Sequence, residues 1–516
     1  MRMLLVLAFA ASPALAQTFA PEPSAGLTTP YQGDWQYMVG GGVAVFDCDG
    51  DLKQDVFVAG GEGKAGLYRN ISAIGGDLRF QPVDSGLEME AVTGAWPLDI
   101  DADGLTDLAV MRVGQNRLMK GLGGCKFRDA SADWGFDGGD GWSTAFSATW
   151  EKGATWPTLA VGNYIDRTQD AFPWGSCTEN WLHRPAGATG FAPALPLKPS
   201  YCALSILFSD WSGTGKVDLR VSNDREYYKG GQEQLWHIEP GQPPALYTEA
   251  EGWKRLRIWG MGIASRDLDA NGTTELFLTS MADNKLQSLN PAAQKDGPKP
   301  VYDDTAFARG VTSHRPYTGD DIRPSTAWHA EFSDVNNDGL DDLFVAKGNV
   351  DRMPDFAQND PNNLLMQGAD GKFVEMGDKA GVADMGTARG AALADFNLDG
   401  LPDLVVVDRR EAPKVWRNTT AGAGGFVALW LADEGANRDA IGAWIELRVG
   451  DHLQRREVTV GGGHGGGQLG WQHFGLGKAD QAEVRVIWPD GVAGDWQPLA
   501  GGFYRLTRGG AERITP

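Results

Sequence analysis

Asp99-Ile-Asp101-Ala-Asp103-Gly104-Leu-Thr-Asp107 places an oxygen-bearing side chain at positions 1, 3, 5 and 9 of a nonapeptide and glycine at position 6. The oxygen register recurs in five further strings, four of them with the position-6 glycine. They are Asp47-Cys-Asp49-Gly-Asp51-Leu-Lys-Gln-Asp55, Asp210-Trp-Ser212-Gly-Thr214-Gly-Lys-Val-Asp218 and Asp267-Leu-Asp269-Ala-Asn271-Gly-Thr-Thr-Glu275. Asp334-Val-Asn336-Asn-Asp338-Gly-Leu-Asp-Asp342 and Asp395-Phe-Asn397-Leu-Asp399-Gly-Leu-Pro-Asp403 complete the set. Alternate inward oxygens and a turn-forming glycine are how a short loop wraps a hard cation. The expected cofactor is Ca2+, several ions and up to six. Asp-rich turns also form without metal, but gathering several carboxylates is costly unless a cation neutralises them.

An EF-hand would require a bidentate Glu at position 12. Here position 12 is Val58, Val110, Val221, Leu278, Val345 and Val406, and position 10 is also apolar in every copy. That period-two alternation predicts a β-strand leaving each loop. Four residues before each loop stand Val43, Ala95, Ile206, Ile263, Ala330 and Ala391, consistent with a strand entering.

Successive loops start 52, 111, 57, 67 and 61 residues apart. The doubled interval implies a unit near residue 150 that keeps its strands (Thr158-Leu-Ala-Val161) and has lost its ligands. Seven such units fit a seven-bladed β-propeller. The fold class expected is all-β, a seven-bladed β-propeller followed by a small β-rich C-terminal domain.

The strings Val43-Ala-Val-Phe-Asp47 and Asp395 to Val406 resemble the FG-GAP/VCBS repeat of integrin-α-like propellers. Leu67-Tyr-Arg-Asn70 and Val415-Trp-Arg-Asn418 resemble the outer strand of those blades. Farther on, Asn437-Arg438-Asp-Ala-Ile-Gly442, His473-Phe-Gly-Leu-Gly477 and Val486-Ile-Trp-Pro-Asp-Gly491 are similar to the ASPIC/UnbV domain. That module follows such propellers in bacteria and in the cartilage acidic protein family. The resemblance implies calcium in loops between the first two strands of a blade. The division expected is a signal peptide over 1–16, an N-terminal segment over 17–34, the propeller over 35–424 and the β domain over 425–516. Gly33–Met38 is the expected closing strand of the ring.

Residues 1–16 read as a secretory signal: Arg2, an apolar run from Leu4 to Ala11, then Ala14-Leu-Ala16. The expected location is periplasmic or secreted. No apolar run reaches the length of a membrane span, so no membrane insertion is expected. Lys and Arg number 46 against 68 Asp and Glu, a net charge of −22. Much of that excess sits at the repeated loop positions, and no basic cluster suits nucleic acid. The four cysteines Cys48, Cys125, Cys177 and Cys202 form an even set in an exported chain, which suggests two disulfides. Three pairings are possible; Cys48 with Cys125 and Cys177 with Cys202 is favoured.

No His-Glu-x-x-His or Gly-x-Ser-x-Gly string occurs, and no catalytic residue is assigned. Gly461-Gly-Gly-His-Gly-Gly-Gly467 reads as a flexible hairpin connection. Possible ligand-binding residues cluster in the long insertions: Asp224, Arg225, Tyr227, Trp259, His314, Arg315, Arg323, Trp328 and His329. Such a mixture of Trp, Tyr and Arg suits recognition surfaces. The function expected is non-catalytic binding of an unidentified protein or glycan. The alternatives are an accessory factor docking through the C-terminal module, and a lyase or hydrolase acting on polysaccharide at the propeller face. Among the loops, the one at Asp99 should bind tightest and the one at Asp210 worst, following carboxylate count.

Overall fold

The computed structural model describes residues 18–168, 176–187, 189–224, 232–350 and 353–516. The expected signal peptide lies outside the described residues. Each loop is flanked as its alternation predicts. The residue four before the loop pairs with position 12 in all six repeats: Val43 with Val58, Ala95 with Val110, Ile206 with Val221, Ile263 with Leu278, Ala330 with Val345 and Ala391 with Val406. The ligand-free unit does the same through Phe146 and Val161.

These hairpins grow into repeated four-stranded antiparallel sheets, seven of them before residue 420 among the described residues. Their innermost strands are Val43–Phe46, Val92–Leu98, Ser143–Thr149, Ala203–Ser209, Gly260–Arg266, Ala327–Ser333 and Ala388–Ala394. They pack side by side in chain order, and the last meets the first, giving a propeller-like ring. Being covered on both faces, they are almost wholly buried. Leu67–Asn70 and Val415–Asn418 fall in third strands rather than outer ones. Asn70 explains the motif: its N–H donates to Asp55 Oδ1 (2.7 Å) and its amide to the carbonyls of Gln54 and Phe396, tying loop, strand and neighbouring sheet together.

The ring closes differently from expectation. Gly33–Met38 contains a 3-10 turn, Trp35–Tyr37, and the strand completing the last sheet is Phe19–Pro21, paired with Lys414–Asn418. Pro21 is tolerated because an edge strand needs no further donor on its outer side. The segment expected to precede the propeller therefore supplies part of it.

The C-terminal region forms two four-stranded sheets. In one, Gly425–Leu431 lies between Gln472–Gly477 (antiparallel) and Gly502–Thr507 (parallel). In the other, Trp444–Val449 lies between His452–Glu457 and Gln481–Ile487. Val427, Ile445, Leu447, Val484 and Tyr504 share one continuous apolar core with the first propeller sheets. The region is thus fused to the ring rather than tethered to it.

The glycine run Gly461–Gly467 overturns its reading as a flexible connection. It threads the ring: Val460 bridges Ala148, Gly461 bridges Leu207, Gly463 bridges Ile263, Gly466 bridges Ala95 and Gln468 bridges Val45. Only glycine fits. A Cβ on Gly42 or Gly94 would stand 1.5 or 1.8 Å from the Gly465 carbonyl oxygen, and one on Gly466 would stand 1.9 Å from that of Val43. The other mouth is filled by Met38 and Val39 packed on Trp142, Tyr164, Met261 and Trp328. The two fillings meet where the Gly40 N–H donates to Nε2 of the buried His464 (3.2 Å).

Candidate metal loops and the face they form

All six loops share one backbone form. Position 4 is left-handed throughout (φ 55–83° at Gly50, Ala102, Gly213, Ala270, Asn337 and Leu398), and so is position 6 (φ 71–94°). The position-6 N–H then donates to the position-1 carboxylate: Leu52 to Asp47, Gly104 to Asp99, Gly215 to Asp210, Gly272 to Asp267, Gly339 to Asp334 and Gly400 to Asp395, at 2.7–2.9 Å. Leu52 adopts this turn although only glycine does so freely. The position-9 acid anchors the loop from below. Asp107 accepts from Ile100 N and Gly121 N, and Asp403 from Phe396 N and Asn418 N.

The loops differ in what faces inward. Carboxylate oxygens converge to within 4.8 Å in three sets: Asp47, Asp49 and Asp55; Asp99, Asp101 and Asp107; Asp267, Asp269 and Glu275. In the loops at Asp334 and Asp395, the Asn336 and Asn397 amides donate to Asp338 and Asp399 (3.1 Å), easing the repulsion. In the loop at Asp210, Ser212 and Thr214 bond each other at 2.8 Å. Asp218 there accepts from Trp211 Nε1 and Tyr247 OH. The loop at Asp99 carries a complication that carboxylate counting omits: Lys120 Nζ lies against Asp101 and 2.6 Å from Asp103 Oδ2.

Burial raises these acids. Asp55, Asp107 and Asp395 are pushed up to about 8 and Glu275 to about 7, chiefly by desolvation, with the neighbouring loop acids adding to it. Asp334, Asp342 and Asp403 are driven well above the usual carboxylate range for the same reasons. Asp99 Oδ1 and Asp101 Oδ1 are buried without a donor. Such a donor set fits a divalent ion, which would hold several carboxylates ionised at once. Cys48 and Cys125 also stand beside Asp55, but they are joined in a disulfide and offer no thiolate.

The C-terminal region sits on the face these loops form. Trp471 Nε1 donates to Leu52 O (2.9 Å), Asp439 accepts from Asp99 N (3.1 Å), and Glu457 accepts from Asp210 N (2.8 Å). Arg455 stands 3.5 Å from Asp267, His452 Nε2 donates to Gly339 O (2.9 Å), and Leu398 packs with Ala428 and Phe503. Every ligand-bearing loop therefore touches it.

The insertion residues divide: Trp328, Trp259 and, through Tyr164, Asp224 gather on the apolar cluster at one mouth of the ring, while His314, Arg315 and Arg323 lie apart from it. Trp328 and His329 lie inside the ring, because they belong to the innermost strand Ala327–Ser333; Trp328 Nε1 donates to Gly348 O (2.6 Å), and Arg389 stacks 4.1 Å above its ring. Asp224 is buried and accepts from Tyr164 OH. These three are interior groups rather than surface ligands. Trp259 packs edge-on to Phe356, His314 pairs with Asp283 (2.6 Å), Arg323 pairs with Asp321 (2.6 Å), and Arg315 is exposed. Arg225 and Tyr227 lie outside the described residues. Sequence reading missed the threaded segment, although a signal was there. Glycine precedes the entering residue in four repeats (Gly42, Gly94, Gly262 and Gly390); at Gly42 and Gly94 a Cβ would strike the Gly465 backbone, and at Gly262 it would stand 3.2 Å from Gly463 O, while Gly390 faces the backbone of Gly41.

Comparison with known proteins matches residues 334–406 to the FG-GAP-like repeat and residues 433–512 to ASPIC and UnbV. The chain carries an FG-GAP-like repeat and an ASPIC/UnbV domain. It is similar to cartilage acidic protein 1 of Xenopus tropicalis, 22% identical over 216 residues, a match covering 39% of this chain and 30% of that relative. Among solved structures, BBS1N in complex with ARL6DN, soaked with mercury, covers 79% of this chain and 98% of its own at 11% identity (TM-score 0.43). A lectin of Agrocybe aegerita that recognises non-reducing terminal N-acetylglucosamine covers 71% and 88% at 15% identity (TM-score 0.40).

Between the UnbV domain, the ligand-free sheet and the adjoining loop at Asp210 runs a cleft of about 740 Å³. The turn there keeps the length of the six candidate metal loops, Thr149 pairing with Thr158 as Leu98 pairs with Asp107. Its contents have changed. Trp150 stands at position 1 and Lys152 at position 3, while Glu151 bonds Thr158 (2.8 Å) and Arg184 (2.6 Å). The UnbV wall presents Asn437 and Arg508, the latter held by Asp433 and Asp490 above the Trp488 ring. Among the described residues no helix is long and apolar enough to cross a membrane.

Proposed function

We propose that this protein is an exported, calcium-stabilised, seven-bladed propeller that binds a protein or glycan without catalysing a reaction on it. The observation supporting the metal reading is the shared turn of six loops, three of which bring the carboxylates at positions 1, 3 and 9 within 4.8 Å of one another, with the position-9 acid buried. The residues that would hold calcium are those at positions 1, 3, 5 and 9, from Asp47 to Asp403. The ion would supply charge neutralisation and cross-link the first two strands of each blade that keeps its ligands. Export is supported by the signal-like residues 1–16 and by the two disulfides, Cys48–Cys125 and Cys177–Cys202.

Because the UnbV domain is fused to the loop face, it does not serve as a free docking arm. The partner surface we assign is the cleft between the ligand-free loop, the loop at Asp210 and the UnbV domain, which offers groups of both charges (Lys152, Arg508, Glu151, Asp433) beside amide and aromatic ones. Native mass spectrometry should show several calcium ions per chain, and removing them should lower the melting temperature by many degrees, since each site at hundredfold excess over Kd contributes about 2.7 kcal/mol. A chain that binds no calcium, or melts identically without it, would refute the metal reading. Partner capture from the exported fraction that survives Lys152→Glu combined with Arg508→Glu would refute the cleft.

A further inference from the structure

We infer that the Cys48–Cys125 disulfide sets the calcium affinity of the loop at Asp47 and makes that site sensitive to thiol reductants, an inference that rests on the metal reading above.

Two of the loops are tied to the next sheet by an asparagine. In the first sheet Asn70 N–H donates to Asp55, while its side-chain amide reaches the carbonyl of Phe396, position 2 of the loop at Asp395 (2.8 Å). In the last sheet Asn418 does the same, from Asp403 to the carbonyl of Val335, position 2 of the loop at Asp334 (2.8 Å). Register puts Gly121 at the equivalent point of the second sheet, two residues after Met119, which pairs with Leu108 as Tyr68 pairs with Val56. Its N–H donates to Asp107 Oδ1 (2.8 Å) in the same way. Glycine carries no amide, so the tie to the preceding loop has to come from elsewhere. The turn that follows supplies it. Cys125 N–H donates to the carbonyl of Cys48, position 2 of the loop at Asp47 (2.9 Å), and the two side chains are joined covalently.

This loop needs an outside hold more than the other five. It has no glycine at position 6, and Leu52 takes the left-handed turn there (φ 71°), a conformation that costs any residue with a Cβ. Cys48 stands between the ligand positions Asp47 and Asp49, and its N–H donates to Asp55 Oδ2 (2.7 Å). The disulfide therefore grips the chain where the three carboxylates converge to within 4.8 Å. Calcium affinity follows the rigidity of a loop as well as its charge. The second bridge, Cys177–Cys202, lies instead in the apolar cluster at the other mouth of the ring, with Trp142 and Met261.

A dithiol such as dithiothreitol supplies the two electrons and two protons that turn the bridge into two thiols, and is itself oxidised to a cyclic disulfide. Freed at position 2, the loop must hold Leu52 left-handed unaided, and calcium binds it more weakly. Linkage makes the effect reciprocal: the factor that reduction removes from calcium affinity is the factor by which calcium opposes reduction at equilibrium.

The test is calcium titration of the full oxidised chain, followed by native mass spectrometry, beside two variants: Cys48→Ser with Cys125→Ser, and Cys177→Ser with Cys202→Ser. One ion should bind at least about tenfold more weakly in the first variant, the weight of one left-handed residue other than glycine. None should weaken in the second. Adding Leu52→Gly to the first variant should recover most of the lost affinity, which a bridge that merely stabilises the fold would not produce. If the first variant misfolds, the unmodified protein decides. In dithiothreitol buffers of graded reduced-to-oxidised ratio, thiol labelling should put the midpoint of Cys48–Cys125 at a ratio about tenfold higher with calcium than with EGTA, and leave that of Cys177–Cys202 in place. Equal calcium affinity in the oxidised chain and the first variant, no recovery with Leu52→Gly, or a midpoint that calcium does not move would overturn the inference and leave the metal reading standing. An oxidised chain that binds no calcium would refute both.

Discussion

Gly94→Ala isolates the contribution of the threaded segment. The Gly94 backbone is not left-handed, so alanine imposes no conformational strain there, and the only conflict is spatial. Its Cβ would fall 1.8 Å from Gly465 O and 2.6 Å from Gly465 C. Restoring ordinary contact moves the segment by about 1.5 Å in a channel already filled from both mouths, an overpacking worth about 1–3 kcal/mol. Against this, alanine stiffens the unfolded chain, which favours folding by about 0.4–1 kcal/mol. Overpacking wins, so a net loss of about 1–2 kcal/mol is expected, a few degrees in melting temperature. Gly435→Ala, where nothing lies within 4 Å and the backbone is likewise unstrained, should melt with the wild type. Scanning calorimetry measures both. A double-mutant cycle with a variant lacking residues 461–467 assigns the effect, because the coupling should account for nearly all of the Gly94→Ala loss. A Gly94→Ala protein as stable as wild type, or a coupling near zero, would refute the threaded channel.

The raised acids give a pH test. Asp55 and Asp107 (about 8) and Glu275 (about 7) hold more protons folded than unfolded, so the metal-free protein should lose stability as pH rises from about 4 to about 8. Calcium, which binds the ionised form, should flatten or reverse that slope, and melts of metal-stripped and calcium-loaded protein at pH 5.5 and 8 decide it. Lys120→Met should tighten calcium at the Asp99 loop about two- to fivefold by removing a competing cation; weaker binding in a calcium titration would mean that Lys120 supports the loop. Replacing Cys48 and Cys125 together with serine removes a link across 77 residues and should cost about 2–5 kcal/mol in denaturant unfolding. Deleting residues 425–516 should yield an aggregating chain rather than an intact propeller, since it bares the core shared with Val427 and Ile445 and empties the channel. A monomeric, folded truncation by light scattering and circular dichroism would show that the ring stands alone.

The sequence by itself determined the repeat. Alternating oxygens, a glycine at the turn and apolar residues at positions 10 and 12 are local patterns, and local patterns specify a hairpin with a definite register, down to Ala391 opposite Val406. It also determined that one unit near Trp150 keeps its strands without its ligands, because a period survives the loss of one copy. What only tertiary structure decided are contacts between segments far apart in the chain. Phe19–Pro21, not Gly33–Met38, completes the last sheet, since either could pair and only the ring's geometry selects one. Lys120 enters the Asp99 loop from a neighbouring strand, which no count of loop carboxylates reveals. Trp328 and His329 face inward because the innermost strand of a closed ring has no solvent side. The run Gly461–Gly467 looks the same in sequence whether it flexes in water or fills a channel. The difference lies in Gly42 and Gly94, hundreds of residues away, which leave room for its backbone.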